Sequence, residues 1–416
     1  MNRVVITGMG TINPLGSSIS QFWDNIVAGK CGIDEITHFN TDTFEVKCAG
    51  EVKEFNPEKY IHKRELKRLD KYSQFALYAA HEAYNDAKLG DYEIDRERIG
   101  VFVSSGIGGI DTIQDQTKKM FDKGVDRVSP YFVPMMISNM AAGNVAIALE
   151  AKGPCLNVVT ACASATNAIG EAFRKIQYGE IDIAIAGGTE ASINELGISG
   201  FMAMKALSRA TDPKRASIPF DKDREGFVMG EGAGILILES LENAQKRGAT
   251  IYAELVGYGI TCDAHHITSP APEGEGAMRS MKNALNDAHL NTSEVSYINA
   301  HGTSTYYNDL NESLAIKALF GDDDITPPVS STKSMIGHLL GASGSVEAIA
   351  CVKALQDDIL PPTIGYKTPD PECDLDYVPN ESRKTEVNVV LSNSLGFGGH
   401  NATIVFKKYN HNTGGL

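Results

Sequence analysis

The sequence predicts an α/β fold in which helices pack against sheets of buried strands. Short apolar segments recur along the chain, and stretches with a helical pattern lie between them. Brief segments that are apolar throughout are typical of strands covered on both faces, and their alternation with helices is typical of α/β layering. The predicted strands are 3–7, 100–104, 182–187, 234–238, 252–256, 296–300 and 387–392, and the predicted helices include 71–88 and 164–178.

The composition is that of a large globular protein. The chain has 416 residues, of which 42% are hydrophobic and 22% are charged, and this supplies enough apolar material for a large core. The 38 basic and 53 acidic residues give a net charge of −15, which argues against nucleic-acid binding because that function needs a basic surface. No run approaches the roughly 18 apolar residues of a membrane span, and the start, MNRVVITGMG, lacks the apolar stretch of a signal peptide.

Seven cysteines are present, an odd number, and they are widely spaced without any CxxC pair. This pattern argues against a disulfide scaffold or a zinc ribbon and favours a reducing, cytoplasmic compartment.

A weak internal repeat divides the chain near residue 250. The segments RVVITGMG, at residue 3, and YAELVGYGI, near residue 252, both end on Gly-x-Gly. The strand at 100–109 precedes a CASA turn, and the strand at 296–304 precedes a GHLLGASG turn. Duplicated halves would explain these parallels, but so would the general similarity of α/β units.

Cys162 is the first candidate catalytic residue. It follows the strand-like segment VVT and precedes a helical pattern, so it is expected at a strand-to-helix turn. Helix N-terminal amides favour a thiolate and can bind an oxyanion, and the small neighbouring residues leave room for a substrate. The alternative is a buried structural cysteine.

Two histidines in glycine-flanked turns complete a candidate set. His301 lies in NAHGTST and His338 lies in STKSMIGHLLGASG. One cysteine and two histidines supply a nucleophile and two hydrogen-bond donors or bases, and no short metal-binding motif includes them. A further glycine-rich segment, SNSLGFGGHNA, could expose backbone amides around Phe397, or it could be an ordinary turn before the last strand.

Seven motifs, in order, make the chain resemble the β-ketoacyl-acyl-carrier-protein synthases, the condensing enzymes of the thiolase-like superfamily. The resemblance covers almost the whole sequence. The motifs are VITGMG, SSGIGG, TACASA, PFDKDREGFVMGEGAG, NAHGTST, KSMIGHLLGASG and NSLGFGGHN.

This resemblance implies a fold and a reaction. The fold is thiolase-like, with two similar α/β halves at 1–250 and 251–411 that form a layered α-β-α-β-α core, and a tail at 412–416. The implied reaction is the decarboxylative Claisen condensation of a malonyl carrier with an acyl carrier. Relatives act as homodimers on acyl carrier protein, so we expect that partner, no nucleic acid, no membrane and no required cofactor or catalytic metal.

The resemblance also assigns roles to residues. Cys162 is the acyl-accepting nucleophile, His301 and His338 act on the malonyl thioester, Lys333 supports them, and Phe397 is the gate. Lys333 is expected to be held by Asp309 or Glu312, and the amides of Cys162 and Phe397 to bind an oxyanion. The remaining residues line the acyl pocket (Ile107, Phe201), contact the phosphopantetheine arm (Thr303, Thr305) or form a network that in some relatives surrounds a monovalent cation (Asn299, Glu347, Ser392, Asn393).

A basic segment is the expected docking site for the acidic carrier protein. Residues 61–72 carry Lys63, Arg64, Lys67, Arg68 and Lys71, whose spacing would gather them on one face of a helix. The family pattern adds Arg127 and Lys205. The alternative is a solvated helix face.

Two other functions share these motifs. A polyketide ketosynthase would use the same catalytic residues. A non-catalytic carrier-binding partner would lack the nucleophile, so the presence of Cys162 argues against that function. Three positions depart from the usual family pattern: Leu395 replaces Phe, His400 replaces Thr and Tyr306 replaces Pro.

Overall fold

A computed structural model describes residues 1–321 and 326–410, so the predicted tail at 412–416 lies outside the described residues. The strands are β1 Val4–Ile12, β2 Asp34–Glu35, β3 Cys48–Ala49, β4 Ile99–Ser104, β5 Cys155–Leu156, β6 Ile183–Glu190, β7 Gly232–Ser240, β8 Ala253–Cys262, β9 Tyr297–Asn299, β10 Val329–Ser330, β11 Ile359–Leu360, β12 Arg383–Lys384, β13 Val389–Gly396 and β14 His400–Lys407. The helices are α1 Ile19–Val27, α2 Lys63–Leu66, α3 Lys71–Asp86, α4 Ile110–Lys123, α5 Phe132–Met136, α6 Met140–Ala148, α7 Ser164–Gln177, α8 Glu195–Ala203, α9 Pro213–Ala216, α10 Leu241–Lys246, α11 Glu275–Ala288, α12 Tyr306–Phe320, α13 Lys333–Ile336 and α14 Ser343–Asp357.

Ten strands form one sheet whose two halves have the same topology. One half has the order β1-β7-β6-β4-β5 and the other has the order β8-β14-β13-β9-β10. In each half the first two pairings are antiparallel and the last two are parallel. The halves join through antiparallel pairing of β1 with β8. This correspondence confirms the prediction of two similar α/β halves.

The helices arrange the two half-sheets in five layers. α7 packs on β4 and β6 but also touches β8 and β14, and α14 packs on β13 but also touches β6 and β7, so both helices lie between the half-sheets. α3 and α6 cover the outer face of the first half, and α11 and α12 lie outside the second. The predicted α-β-α-β-α core is confirmed.

Close packing in the middle layer depends on one glycine of α7. A Cβ atom on Gly170 would lie 2.3 Å from the ring of Tyr258 on β8. The helix can therefore approach the second half-sheet only because this position has no side chain. The contact brings the two halves together around the N-termini of α7 and α14.

The predicted strands and helices are present, and most strands are longer than predicted. The segment at 3–7 is part of a nine-residue strand that is buried at every position, and the predicted helices 71–88 and 164–178 correspond to α3 and α7. Within residues 1–321 and 326–410, no helix combines the length and the apolar character needed to cross a membrane.

Candidate active site

Cys162 lies in a tight turn directly before α7. The turn spans Ala161–Ala163, and Ala161 has a positive φ of 51°, which is uncommon for a residue other than glycine. Ser164 stabilises the turn because its hydroxyl donates to Ala161 O at 2.6 Å and accepts from Thr160 N at 2.9 Å. The sulfur is thereby held at the N-terminus of α7, as the sequence predicts.

The hairpin between β13 and β14 closes over this turn. A Cβ atom on Gly396 would lie 2.8 Å from Thr160 O and 3.3 Å from Cys162 N, so only glycine permits the approach. The backbone N–H groups of Phe397 and of Cys162 itself hydrogen-bond the sulfur and lower the thiol pKa. The two amides expected to bind an oxyanion therefore both lie beside the nucleophile.

Burial dominates the protonation state of Cys162. Loss of solvent raises the pKa of the thiol to about 12, although the nearby charge of Lys333 and the two amides lower it. A buried thiol in the resting site is the consequence. The expectation that helix amides favour the thiolate has the right sign but is outweighed by desolvation.

His338 presents an N–H group to this sulfur. Its Nε2 atom lies 3.1 Å from Cys162 Sγ, and its Nδ1 atom accepts a hydrogen bond from Leu340 N at 3.2 Å. A backbone N–H can only donate, so Nδ1 must be the unprotonated nitrogen and Nε2 must carry the hydrogen. Ser343 Oγ also lies 2.9 Å from Nδ1, and its hydroxyl can donate to that nitrogen.

His301 is fixed in the same tautomer by a different donor. Lys333 Nζ lies 3.4 Å from His301 Nδ1 and donates to His301 O at 2.6 Å. Because an ammonium group only donates, His301 also carries its hydrogen on Nε2. The two imidazole rings lie edge to face with centroids 5.2 Å apart, and side-chain N and S atoms of Cys162, His301 and His338 lie within 4.8 Å of one another.

Both imidazoles are neutral. Burial, followed by the charge of Lys333, holds the pKa of His301 and of His338 well below the ordinary value of 6.5. Two neutral N–H donors thus converge beside the nucleophile in a site that excludes water. Such donors stabilise negative charge that develops on a substrate oxygen.

The same three side chains are the one cluster of metal-type ligands among residues 1–321 and 326–410. A metal would need the lone pair of each Nε2 atom, and each ring would then need its hydrogen on Nδ1. Leu340 N and Lys333 Nζ already donate to those Nδ1 atoms. This hydrogen bonding opposes metal ligation.

The prediction that Asp309 or Glu312 holds Lys333 is wrong. Its ammonium group binds the buried Glu347 on α14, whereas Glu312 accepts from the backbone of His301 and Gly302, both at 2.8 Å. Asp309 accepts from Thr303 N at 3.0 Å. Both acids lie on α12 and face the preceding loop, so they anchor the backbone of that loop.

Three residues of the expected network carry orphaned oxygens. Asn299 Oδ1, Glu347 Oε2 and Ser392 Oγ are buried and have no hydrogen-bond partner in the described part of the chain. Asn299 and Ser392 are paired in register on β9 and β13. Three uncommitted oxygens fit a monovalent cation. The side chain of Asn393 does not join them, because it alternates to the opposite face and binds Thr403 Oγ1 at 2.9 Å.

A cavity of about 390 Å³ opens over Cys162. Phe201, whose ring centroid lies 6.4 Å from that of Phe397, forms part of its apolar wall. Thr303 and Thr305 also line it, with their hydroxyls 2.8 Å apart. Ile107 does not reach the cavity; it packs against the apolar cluster that includes Phe227 and Leu340.

Two of the unusual residues, Leu395 and Tyr306, border the same cavity. Tyr306 is exposed and donates to Glu372 at 3.0 Å. His400 begins β14 and pairs with Gly396 across the hairpin, so it contacts the Phe397 loop from outside the cavity wall.

The basic residues do not share one helix face as predicted. α2 ends at Leu66, and α3 begins at Lys71, because Asp70 caps α3 by accepting from Tyr72 N at 3.2 Å. Lys71 is turned away to Glu231, with both carboxylate oxygens at 2.9 Å from Nζ. Six expected docking residues are nevertheless exposed, namely Lys63, Arg64, Lys67, Arg68, Arg127 and Lys205, of which Lys205 borders the cavity.

The groups that orient the histidines are not evident from the sequence. Leu340 acts through its backbone N–H, a group that almost every residue type carries, so the sequence does not single it out. Ser343 is one of many serines near a glycine-rich turn. The one available signal was the similarity between the CASA and GASG turns. Ala161 and Leu340 occupy similar places before α7 and α14, with φ of 51° and 50°.

The family models for the β-ketoacyl synthase N-terminal and C-terminal domains match residues 1–244 and 252–367. The chain belongs to the β-ketoacyl synthase family. It is 54% identical over 407 residues to a 3-oxoacyl-[acyl-carrier-protein] synthase 2 of Staphylococcus aureus, covering 98% of each chain. It is 53% identical over 408 residues to the protein of that name from Synechocystis, again covering 98% of each.

Solved structures of this family share the whole fold. One is a chain of a complex between a type II polyketide acyl-carrier protein and its ketosynthase; it has a TM-score of 0.92 and 37% identity, with 98% of this chain and 100% of that chain covered. A β-ketoacyl synthase from Burkholderia phymatum has a TM-score of 0.91 and 34% identity, with 99% and 100% covered. These matches agree with the layered topology described above.

The neutral histidines predict a flat pH dependence. Because both pKa values lie well below 6.5, neither ring should gain a proton as the pH falls from about 8 to about 6. The NMR chemical shifts of the His301 and His338 rings should therefore show no inflection in that range. The decarboxylation rate is a less direct measure, because burial raises the pKa of Glu312, which holds the His301 backbone, to about 7. A titration of either ring with a midpoint near 6.5 would contradict the assignment of two neutral donors.

Proposed function

We propose that this chain catalyses the decarboxylative condensation of malonyl-acyl carrier protein with an acyl-acyl carrier protein, giving 3-oxoacyl-acyl carrier protein and carbon dioxide in fatty-acid elongation. The observation that carries this proposal is the convergence of two neutral N–H donors on a buried cysteine at the base of an apolar cavity. The relatives that are 54% and 53% identical bear the corresponding enzyme name.

Acyl transfer is the first half-reaction. Cys162 Sγ attacks the carbonyl carbon of the acyl-carrier thioester, and the bond to the carrier sulfur then breaks. The carrier leaves as a thiol with the proton that Cys162 loses. The amides of Cys162 and Phe397 stabilise the transient oxyanion, and the N-terminus of α7 stabilises the thiolate as it forms.

Decarboxylation and condensation form the second half-reaction. The malonyl thioester loses carbon dioxide, and the electron pair of the broken C–C bond gives an enolate whose oxygen accepts from His301 and His338. The enolate carbon attacks the acyl-Cys162 carbonyl, a C–C bond forms, and the bond to Cys162 Sγ breaks. Cys162 leaves as a thiolate, which takes a proton from solvent once the product has left. Lys333 holds His301 in the donor tautomer, while Thr303 and Thr305 offer hydroxyls to the phosphopantetheine arm.

Phe397 is proposed as the gate of this cavity and Phe201 as part of the acyl wall. No cofactor or catalytic metal is required by these steps, since the phosphopantetheine arrives on the carrier. A monovalent cation would be held by Asn299, Glu347 and Ser392 and would supply a structural charge. The seven free cysteines support a reducing, cytoplasmic compartment.

A polyketide ketosynthase is the second candidate, since solved ketosynthase chains share this fold. The identity to those chains, 37% and 36%, is lower than the 54% to the fatty-acid enzyme, and this favours fatty-acid elongation. A non-catalytic carrier-binding partner is disfavoured by the presence of Cys162 and both donors.

Replacement of the three central side chains tests the mechanism. Cys162→Ala should form no acyl-enzyme because the attacking sulfur is gone, as judged by intact-protein mass spectrometry after incubation with acyl carrier. His301→Ala and His338→Ala should each lower malonyl decarboxylation by about 10²-fold or more, since each removes one oxyanion donor.

Cys262→Ala is the matched control, because this cysteine is exposed and lies outside the cavity wall. It should acylate and decarboxylate like the unaltered protein. An acyl adduct of full occupancy on Cys162→Ala, or unchanged decarboxylation in both histidine variants, would refute the proposed roles.

Charge reversal tests docking of the acidic carrier on the exposed basic residues. Lys67→Glu with Arg68→Glu should raise the KM for acyl carrier protein substrates by about tenfold at low salt, because complementary charge accelerates association. Small pantetheine thioesters should react at the normal rate. Lys88→Glu with Lys246→Glu makes an equal charge change at exposed positions that do not border the cavity and should leave both substrates unaffected.

If the reversal damages reaction with both substrate types equally, the basic residues support the fold and the docking proposal fails.

We also propose a homodimer formed through the outer strand of the first half-sheet. β5 is exposed at the sheet edge, and α6, which packs beside it, carries the exposed Ile147. Leu156 and Val159 are also exposed.

Leu156→Asp with Val159→Asp should convert a dimer into monomers in sedimentation-velocity experiments, whereas Tyr178→Asp, at another exposed apolar position, should not. A monomeric unaltered protein would contradict the proposal.

A further inference from the structure

Glu190, the last residue of β6, is a fully buried carboxylate without a cationic partner in the described part of the chain. A buried charge of this kind is costly unless hydrogen bonds compensate for lost solvent. Four donors lie within 3.2 Å of its oxygens, and they come from two loops. The mechanism described above does not use this residue.

The first loop belongs to the N-terminal half and follows β4. Ser105 Oγ donates to Glu190 Oε1 at 2.8 Å, Gly106 N donates to Oε2 at 2.8 Å, and Ile107 N donates to Oε1 at 3.2 Å. The carboxylate therefore fixes the backbone of the SSGIGG segment.

The second loop is the one that carries His338. Gly341 N donates to Glu190 Oε2 at 3.0 Å, so one carboxylate oxygen joins the loops. A Cβ atom on Gly341 would lie 2.2 Å from Gly106 N and 2.7 Å from Glu190 Oε2. The two loops can meet over the carboxylate only because the facing residues, Gly106 and Gly341, have no side chains.

The bond to Gly341 stabilises a strained residue beside it. Leu340 has a positive φ of 50°, a conformation that is unfavourable for a residue with a side chain and persists only when its surroundings hold it. This conformation directs Leu340 N toward His338 Nδ1 at 3.2 Å. That hydrogen bond in turn places the hydrogen of His338 on Nε2, facing Cys162.

We infer that Glu190 is a positioning residue for His338: by holding Gly341 N, it keeps the strained turn at Leu340 that fixes the donor tautomer of the imidazole. The inference rests on the proposed function, because it concerns the step in which His338 stabilises the enolate. Without the carboxylate, the turn relaxes, Leu340 N leaves Nδ1, and the ring loses the one donor at Nδ1 that cannot also act as an acceptor, since Ser343 Oγ can do either.

The experiment separates the two half-reactions in Glu190→Gln, which keeps the side-chain volume but replaces one acceptor oxygen with a donor. The kcat of malonyl decarboxylation should fall by about 10²-fold, the loss typical of a misplaced reacting group. Its KM should stay within about twofold, because Thr303 and Thr305 are untouched. Acyl transfer to Cys162 should fall less, by no more than about tenfold, because the amides of Cys162 and Phe397 that bind its oxyanion are untouched. Two smaller effects oppose each other there: the sulfur loses the N–H of His338, and it also loses the Glu190 charge that raises the thiol pKa.

Glu239→Gln is the matched control. Glu239 is also a buried strand carboxylate, but it binds Thr7 at 2.9 Å and Arg247 at 2.7 Å, far from the histidine loops. It reports the effect of general destabilisation. Ser105→Ala is the milder variant, which removes one donor to Glu190 and should lower decarboxylation selectively by about tenfold even if Glu190→Gln does not fold.

The outcomes are distinct. If the unaltered protein neither acylates nor decarboxylates, the proposed function fails. If it does both, but the Glu190→Gln and Ser105→Ala variants lose the two half-reactions in parallel, as Glu239→Gln would, or lose neither, the positioning role is overturned.

Discussion

The site depends on two buried imidazole N–H groups beside one sulfur: His338 Nε2 lies 3.1 Å from Cys162 Sγ, and a ring nitrogen of His301 lies within 4.8 Å of it. His338 and His301 can stabilise charge only if each carries its hydrogen on Nε2, and a neutral imidazole in solution does not hold that tautomer by itself. The protein fixes it with a backbone amide for one ring and an ammonium group for the other. The architecture around the cysteine serves to hold those donors.

The duplicated fold provides this arrangement. The nucleophile comes from the first half, at the start of α7, and both donors come from the second half, one of them just before α14. Because the two helices lie side by side between the half-sheets, their N-termini meet at one end of the middle layer. A turn with a positive φ precedes each helix, and the two turns do different work: one carries the sulfur and the other supplies an amide to His338.

Buried charge has a structural role around the site. Glu312 and Asp309 bind backbone amides of the His301 loop, and Glu347 binds Lys333. Glu190 binds one amide of the His338 loop, that of Gly341, and two amides of the loop after β4. Carboxylates that accept several N–H groups can stay in the interior because those bonds replace water. Glu312, Asp309 and Glu190 each fix the backbone of a loop that places a catalytic group. The Phe397 loop is held differently: it carries three glycines, Gly398 N donates to Ile267 O at 2.7 Å, and Gly399 O accepts from Asp263 N at 2.9 Å.

The sequence by itself determined the layered α/β class, the strand and helix segments, the family, and the cysteine, histidine and lysine that meet in the site. Apolar periodicity and residue chemistry are local properties, so they can be read without coordinates. Only the tertiary structure decided which acid binds Lys333, that Asn393 faces away from Asn299 and Ser392, and that Lys71 is withdrawn to Glu231. It also decided the split between α2 and α3. Those outcomes depend on which of several chemically equivalent partners the packing brings within hydrogen-bond distance. They also depend on backbone amides such as Leu340 N, which every residue except proline carries and which the sequence therefore does not distinguish.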